Sequence, residues 1–322
     1  MTVRPRICAA GARLRSLQLG DRRMADHRSI KKALVVASFL LPSFVGFFVF
    51  VLLPVVSTIG LSFTNYSGGR TFRLIGIANY LSAFRSTAFL SSLWITARFV
   101  VFSVFFQLAL AFVFAIMLNG KVLARTFFRG LYFLPSILSS IAIGLAFALV
   151  LNPGEGPVNM LLKSLGMAGQ PWLTSTKTAL GTIIFVSVWQ SFGYYMVLFL
   201  AGLQSINPSL YESADLDGAG LFRKLLSITI PMLTPTTFFC VTTAVIKGFQ
   251  VFDLVYIMTG GQQGGGPDGS TTVLVFDIYR NAFMSFRMGY ASAEATVLLL
   301  LLLVVTTIQY RSQRGWVSYD AA

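Results

Sequence analysis

The chain is short of charge, histidine and cysteine, and each shortage removes a class of function. Only 11% of its 322 residues are Asp, Glu, Lys or Arg. A single histidine, His27, leaves a zinc cluster, a Ser-His-Asp triad and a histidine proton shuttle without their parts. The two cysteines, Cys8 and Cys240, lie in segments of such different character that a disulfide between them has no role. No Gly-x-x-x-x-Gly-Lys-Ser/Thr run occurs, so the chain carries no phosphate-binding loop of its own. Any energy source must be external.

Hydrophobic residues take the place of charge. They make up 55% of the chain and include 30 Phe, which points to an all-α, polytopic membrane protein. Six continuously apolar runs, near 34–59, 93–118, 128–151, 179–203, 232–258 and 290–310, are predicted spans. Helices rather than barrel strands follow, because a helix satisfies its own backbone in hydrocarbon. Basic residues set the orientation. Sixteen flank one side, among them Arg4, Lys32, Arg129, Arg223, Lys224 and Arg311, against seven on the other, and the positive-inside rule then places both termini in the cytoplasm. The net charge of +14 belongs mostly to flanks lying against anionic lipid, so no nucleic-acid partner is expected. Residues 1–30 are Arg-rich without apolar periodicity and read as a disordered cytoplasmic tail, with Met24 an alternative start.

Between the fourth and fifth runs lies ESADLDGAGLFRKLLSITIP, from Glu212 to Pro231. Asn207 suits an N-cap and Pro208 the first helical position, predicting a helix from Pro208 to about Asp217 that ends at Gly218. A second helix is expected from Leu221, stopped by Pro231. Glu212, Asp215 and Asp217 are expected early on these helices, where carboxylates favour the positive helix end and meet basic groups on a partner.

The spacing Glu212-Ser213-Ala214, then Gly218, then Ile228 and Pro231, resembles the EAA loop of importer-type ABC permeases. Blocks at Phe63–Tyr66, Ile77–Tyr80, Arg129–Pro135, Trp189–Gly220, Phe249–Gly261 and Ile278–Ala295 are similar to successive segments of carbohydrate permeases of the maltose, lactose and glycerol-phosphate type. Ser213, Ile230 and the GGQQGGGP run depart from that pattern. The resemblance implies the six-span type I ABC importer permease (MetI-like) architecture over residues 31–322, with a coupling loop at 204–231 formed by Glu212, Ser213, Ala214, Asp217, Gly218, Ala219, Ile228 and Pro231. It also implies a second homologous permease, two ATPase subunits that carry ATP and Mg, and an extracytoplasmic sugar-binding protein. The chain itself is then a transport subunit that binds no cofactor or metal and performs no covalent chemistry.

Polar residues inside the spans mark a candidate route, because each charge at the bilayer centre costs about 2.5–3.5 kcal/mol on insertion scales. On a continuous fifth helix Thr236, Thr243, Lys247, Gln250 and Asp253 share one arc, with Phe249 and Phe252 opposite. In the fourth span Ser187, Gln190, Ser191 and Tyr194 share a face, flanked by Trp189 and Tyr195. Gln190, Tyr194, Lys247, Gln250 and Asp253 are the expected sugar contacts, since hydroxyls need hydrogen-bond partners and sugar rings stack on aromatic faces. The competing reading is helix-to-helix hydrogen bonding. Arg98 can snorkel to the surface and is not counted, and Glu294 stays ambiguous. The glycine-rich stretch from Gly260 to Ser270 reads as a flexible outer connection or a lip for a binding protein. An integral-membrane enzyme holding magnesium diphosphate on Asp215 and Asp217 would need more paired acids than the inner loops contain. An ion-coupled transporter would need inverted repeats, which the sequence does not display.

Overall fold

The computed structural model describes residues 35–70, 72–120, 123–261, 264–313 and 315. The basic tail, with Cys8, Met24 and His27, lies outside them. Among the described residues there is no strand beyond a single antiparallel bridge, Thr64 to Leu74. The chain divides after Thr58 into two units. The described part of the first is most of helix α1, Val35–Ser62, whose mean hydropathy of 2.5 suits a span and whose side chains from Val35 to Leu53 are largely exposed.

The second unit is helical throughout: α2 (Ala78–Arg85), α3 (Thr87–Asn119), α4 (Arg125–Ile137), α5 (Ser140–Val150), α6 (Pro157–Ser164), α7 (Ala179–Ser205), α8 (Pro208–Leu216), α9 (Leu221–Met232), α10 (Thr234–Phe249), α11 (Asp253–Met258), α12 (Leu274–Tyr279) and α13 (Met288–Gln313). α3, α7 and α13 are unbroken spans, as the hydropathy predicts. The third and fifth predicted spans are not continuous helices. α4 and α5 meet at 95°, and α9 and α10 at 63°. The first break follows Pro135, which withholds one helical hydrogen bond, and Leu138 takes extended dihedrals. A further break interrupts the fifth run at Gln250–Phe252, where Phe252 leaves the helical region before α11 begins.

The second loop helix ends at Met232, one residue past Pro231, as the proline predicts. A π turn over Leu225–Thr229 precedes that proline, with the Ile230 N–H bonded to the Leu225 carbonyl, and the same device at Phe48–Leu52 precedes Pro54 inside α1.

α3 and α7 form the central pair, with α4, α10 and α11 packed around them. Small residues permit the close approaches, as membrane helices require when hydrocarbon surrounds them. A Cβ on Gly193 of α7 would lie 1.8 Å from the Tyr132 carbonyl oxygen of α4, and one on Gly248 of α10 would lie 3.2 Å from Val100 of α3. One core cluster gathers Ile95, Phe99, Ile183, Val186, Val255 and Phe276, and another Ala111, Ala115, Met196, Phe199, Leu200 and Leu233. Cys240 is buried in the second. Thr236 faces Gly202 of α7, so it serves packing rather than a route.

The glycine-rich stretch is a built turn in its described part, not a slack connection. The Gly265 N–H donates to Thr259 Oγ1 at 3.0 Å and the Thr271 N–H to the Gly265 carbonyl at 2.9 Å. Gly265 and Gly266 have positive φ and no room for a Cβ. Glu294, ambiguous in sequence, is fully buried and accepts two hydrogen bonds from Asn281, beside an Asp277–Arg280 ion pair. Burial pushes the Asp277 carboxyl above the ordinary carboxylate range, while Arg280 pulls it the other way.

Replacing Gly193 with Leu is expected to lower the stability of the detergent-solubilised protein by about 1–3 kcal/mol or more, because only backbone faces the new side chain. Gly130→Ala, with open space around it, is expected to leave the thermal midpoint unchanged or slightly raised.

Candidate functional site

Two features stand out: the loop between α7 and α10, and a cavity enclosed where the broken spans meet. The loop's first helix starts as its sequence dictates. Asn207 Oδ1 accepts from the Ser209 N–H at 3.1 Å and Pro208 occupies the first turn. Its end is a Schellman motif: the Ala219 N–H reaches the Ala214 carbonyl at 2.9 Å and the Gly218 N–H reaches that of Asp215 at 3.0 Å. Gly218 has φ +70°, the left-handed region that glycine occupies without strain.

The acidic residues do not sit where the dipole argument placed them. α8 has no acid in its first turn, and Glu212, Asp215 and Asp217 fall in its second half and cap. Their role is therefore not helix-end stabilisation. Asp215 pairs with Lys224 of α9, and Tyr211 Oη lies 3.0 Å from Thr229 Oγ1. These two contacts fasten α8 to α9. Glu212 and Asp217 are exposed and form no ion pair among the described residues. Ser213 Oγ donates to the Ser209 carbonyl at 2.9 Å, Ile228 packs on the second core cluster, and Pro231 is half-buried in α9.

Sequence reasoning missed the loop's apolar tip. Leu216, Leu221 and Phe222 are 92%, 85% and 81% exposed. Three large apolar side chains presented on a capped helical turn make an exposed apolar surface of the kind that marks interaction sites.

The cavity holds about 420 Å³, the size of a small-molecule site. All five expected contacts line it: Gln190 and Tyr194 from α7, Lys247 from α10, Gln250 from the break and Asp253 from the start of α11. They meet there although the fifth span is not the continuous helix on which their shared arc was drawn. The break brings in Phe252 too, which the helical wheel set on the opposite side. Thr243 does not line the cavity and bonds the Phe239 carbonyl of its own helix at 2.8 Å. Trp189 packs edge-on against Phe147, with ring centroids 5.2 Å apart.

Within the cavity the five residues differ in kind. Gln190 is buried, and its Nε2 donates to Ser140 Oγ at 3.1 Å and to the Leu138 carbonyl at 3.4 Å. It therefore satisfies the break between α4 and α5. Lys247, Gln250 and Asp253 are exposed to the cavity. The Lys247 ammonium sits 4.5 Å from the centre of the Tyr194 ring, a cation–π contact. Asp253 opens α11, where the helix dipole favours its charge. One cation, one anion, amides and the Tyr194 and Phe252 rings suit a polyhydroxylated ligand held by dispersed contacts. Ser103 and Gln107 of α3 complete the wall and were not singled out in sequence. Buried Gln107, polar in the middle of an apolar span, carried the signal by its desolvation cost.

Comparison with known proteins identifies a family and a shared fold. Residues 107–317 match the family described as "Binding-protein-dependent transport system inner membrane component". The probable ABC transporter permease protein YurN of Bacillus subtilis is 36% identical over 85% of this chain and 94% of its own length. The arabinooligosaccharides transport system permease protein AraP of the same organism is 32% identical, covering 85% and 86%. Among solved structures, a chain of a bacterial alginate ABC transporter in complex with its alginate-pentasaccharide-bound periplasmic protein superposes with a TM-score of 0.79. It is 24% identical, over 89% of this chain and 96% of that one, and shares the fold.

Gln190→Leu is expected to destabilise the protein by about 1–3 kcal/mol by orphaning the groups at the break, whereas Lys247→Met leaves thermal stability unchanged. Detergent melting of the two variants checks this.

Proposed function

Since the chain belongs to the binding-protein-dependent transport system inner membrane component family, we propose that it is one of two six-span permease subunits of an ATP-driven carbohydrate importer. The observation that carries the reading is the α8–Gly218–α9 unit, a fastened helical turn that offers Leu216, Leu221 and Phe222 to a partner and runs directly into α10 of the cavity wall. That partner is a cytoplasmic ATPase, two copies of which bind ATP and Mg. The chain itself catalyses nothing. A second, homologous permease supplies the other half of the route, and an extracytoplasmic binding protein delivers substrate. Both termini lie in the cytoplasm on this reading, because the basic flanks gather on the α8–α9 side.

ATP-driven closure of the ATPases moves the α8–α9 units of the two permeases together, and α10 and the cavity follow as a population shift between two packings. Carbohydrate is favoured by the cavity's mixture of amide, carboxylate, ammonium and aromatic faces, and by the arabinooligosaccharide permease among the relatives. Broken spans, which also suit ion-coupled transporters, here border a route driven from the loop.

Two measurements test the proposal. Leu221→Ala combined with Phe222→Ala is expected to weaken retention of a co-purifying ATPase by about 30-fold, the effect of losing an interface hot spot, and Gly218→Val to abolish uptake while leaving the chain in the membrane. Full ATPase retention and uptake in these variants would remove the loop from the mechanism. Separately, Tyr194→Ala and Gln250→Ala are expected to lower sugar uptake and substrate-stimulated ATP hydrolysis while the ATPase stays bound. Unchanged values for both would take these residues out of the route.

A further inference from the structure

At the end of α3 remote from the α8–α9 loop lies a second, mostly apolar groove with one polar end, of about 350 Å³, between α3, the start of α7 and the glycine-rich turn. Two cations, Arg98 and Lys177, face it, with Thr176 and Ser270. Neither cation forms an ion pair with any described residue. The Ser270 hydroxyl is buried without a hydrogen-bond partner. Below this polar end the groove is walled by Phe102, Phe106, Leu180 and Ile184.

Position along α3 says what kind of ligand fits. Asn119, at the other end of the helix, borders the pocket beneath Tyr211 and Phe222. From Arg98 to Asn119 a helix rises about 30 Å, the thickness of the hydrocarbon core. The outward face between them is apolar, with Val101, Phe102, Phe105, Phe106, Leu110, Val113 and Met117 exposed, and it ends at Arg98, whose guanidinium lies 6.0 Å from the Trp94 ring centre. A tryptophan and an arginine closing an apolar band mark the membrane–water boundary. The groove therefore has a cationic, hydroxyl-lined mouth at headgroup depth and an apolar floor leading into the bilayer.

We propose that this groove binds an anionic phospholipid, its phosphate held by Arg98 and Lys177 with Ser270 donating a hydrogen bond, and its acyl chain lying along Phe102 and Phe106. An arginine and a lysine suit one phosphate, since the guanidinium offers a planar pair of donors and the ammonium a point charge. The ligand also supplies the partner that the buried Ser270 hydroxyl lacks. A free anion would use the same mouth but gains nothing from the apolar floor, so the lipid is the better occupant.

Native mass spectrometry of the full-length chain with its co-expressed partners, released from nanodiscs of phosphatidylcholine and phosphatidylglycerol, tests this. The wild type is expected to retain phosphatidylglycerol over phosphatidylcholine. Arg98→Gln combined with Lys177→Gln is expected to lower that retention about tenfold, with Arg98→Lys restoring part of it and Ser270→Ala giving a smaller loss. Arg73→Gln combined with Lys163→Gln, which removes two exposed cations outside the groove, is expected to change nothing. Equal retention in wild type and the Arg98/Lys177 variant overturns the proposal, as does an equal loss in the control. Displacement of the lipid by millimolar inorganic phosphate would make this a free-anion site. Loss of a co-purifying protein with lipid retention unchanged would make it a protein contact.

Discussion

A backbone that leaves the helix inside a membrane must still find hydrogen-bond partners, and that constraint shapes the centre of this protein. Hydrocarbon offers none, so irregular backbone survives there only where protein or water reaches it. α4 breaks from α5 at Leu138 and Ser139, and Gln190 of the neighbouring span turns its amide to the Leu138 carbonyl and the Ser140 hydroxyl. α10 breaks from α11 at Gln250 through Phe252, beside the same space. The cavity lies where the two breaks meet beside α7. Part of its polarity follows from the need to satisfy them, as Gln190 does.

The same logic links the cavity to the loop. A π turn precedes Pro231, α9 ends one residue later at Met232, and the chain turns by 63° into α10. Tyr211 to Thr229 and Asp215 to Lys224 fasten α8 to α9 on the near side. On the proposed reading, force on the exposed Leu216 and Phe222 would pass through these helices to Lys247 and Gln250. Packed cores switch between discrete arrangements instead of deforming smoothly. A close approach such as Gly193 against Tyr132 supplies a fixed point about which such switching can occur.

How much of this was legible in sequence depends on the range of the interaction. Asn207, Pro208 and Gly218 act within four residues, and the helix start, the Schellman end and the reversal all appear where their chemistry places them. Continuous apolar runs located α3, α7 and α13. Pro231 and Pro135 are each followed within two residues by a helix end and a bend, but the size of the bends was not visible, because it depends on distant partners such as Gln190, 55 residues after Pro135. The fifth-span stripe reached the right residues on wrong geometry. Lys247, Gln250 and Asp253 converge through a kink, which carries Phe252 to their side as well. The carboxylates of the loop misled for another reason: a charge near a helix has a local meaning only when its turn is known, and Asp215 answers to Lys224.

The cavity's open residues also say something about what lies opposite. Lys247, Gln250 and Asp253 sit at the depth of the middle of α7 and are exposed in the isolated chain. Facing lipid, the two charges would each cost about 2.5–3.5 kcal/mol on insertion scales, more than the cation–π contact with Tyr194 returns. They must face water or protein. Yet the contacts that secure the fold here, Gln190 with Ser140 and Gly248 with Val100, do not involve these groups. A second polypeptide wall with its own polar face meets the requirement and leaves a wet gap between the two, which is the arrangement a two-permease importer needs. On the proposed two-permease reading, the three residues are costly in one chain and comfortable in a pair, and their exposure is that of a half-site.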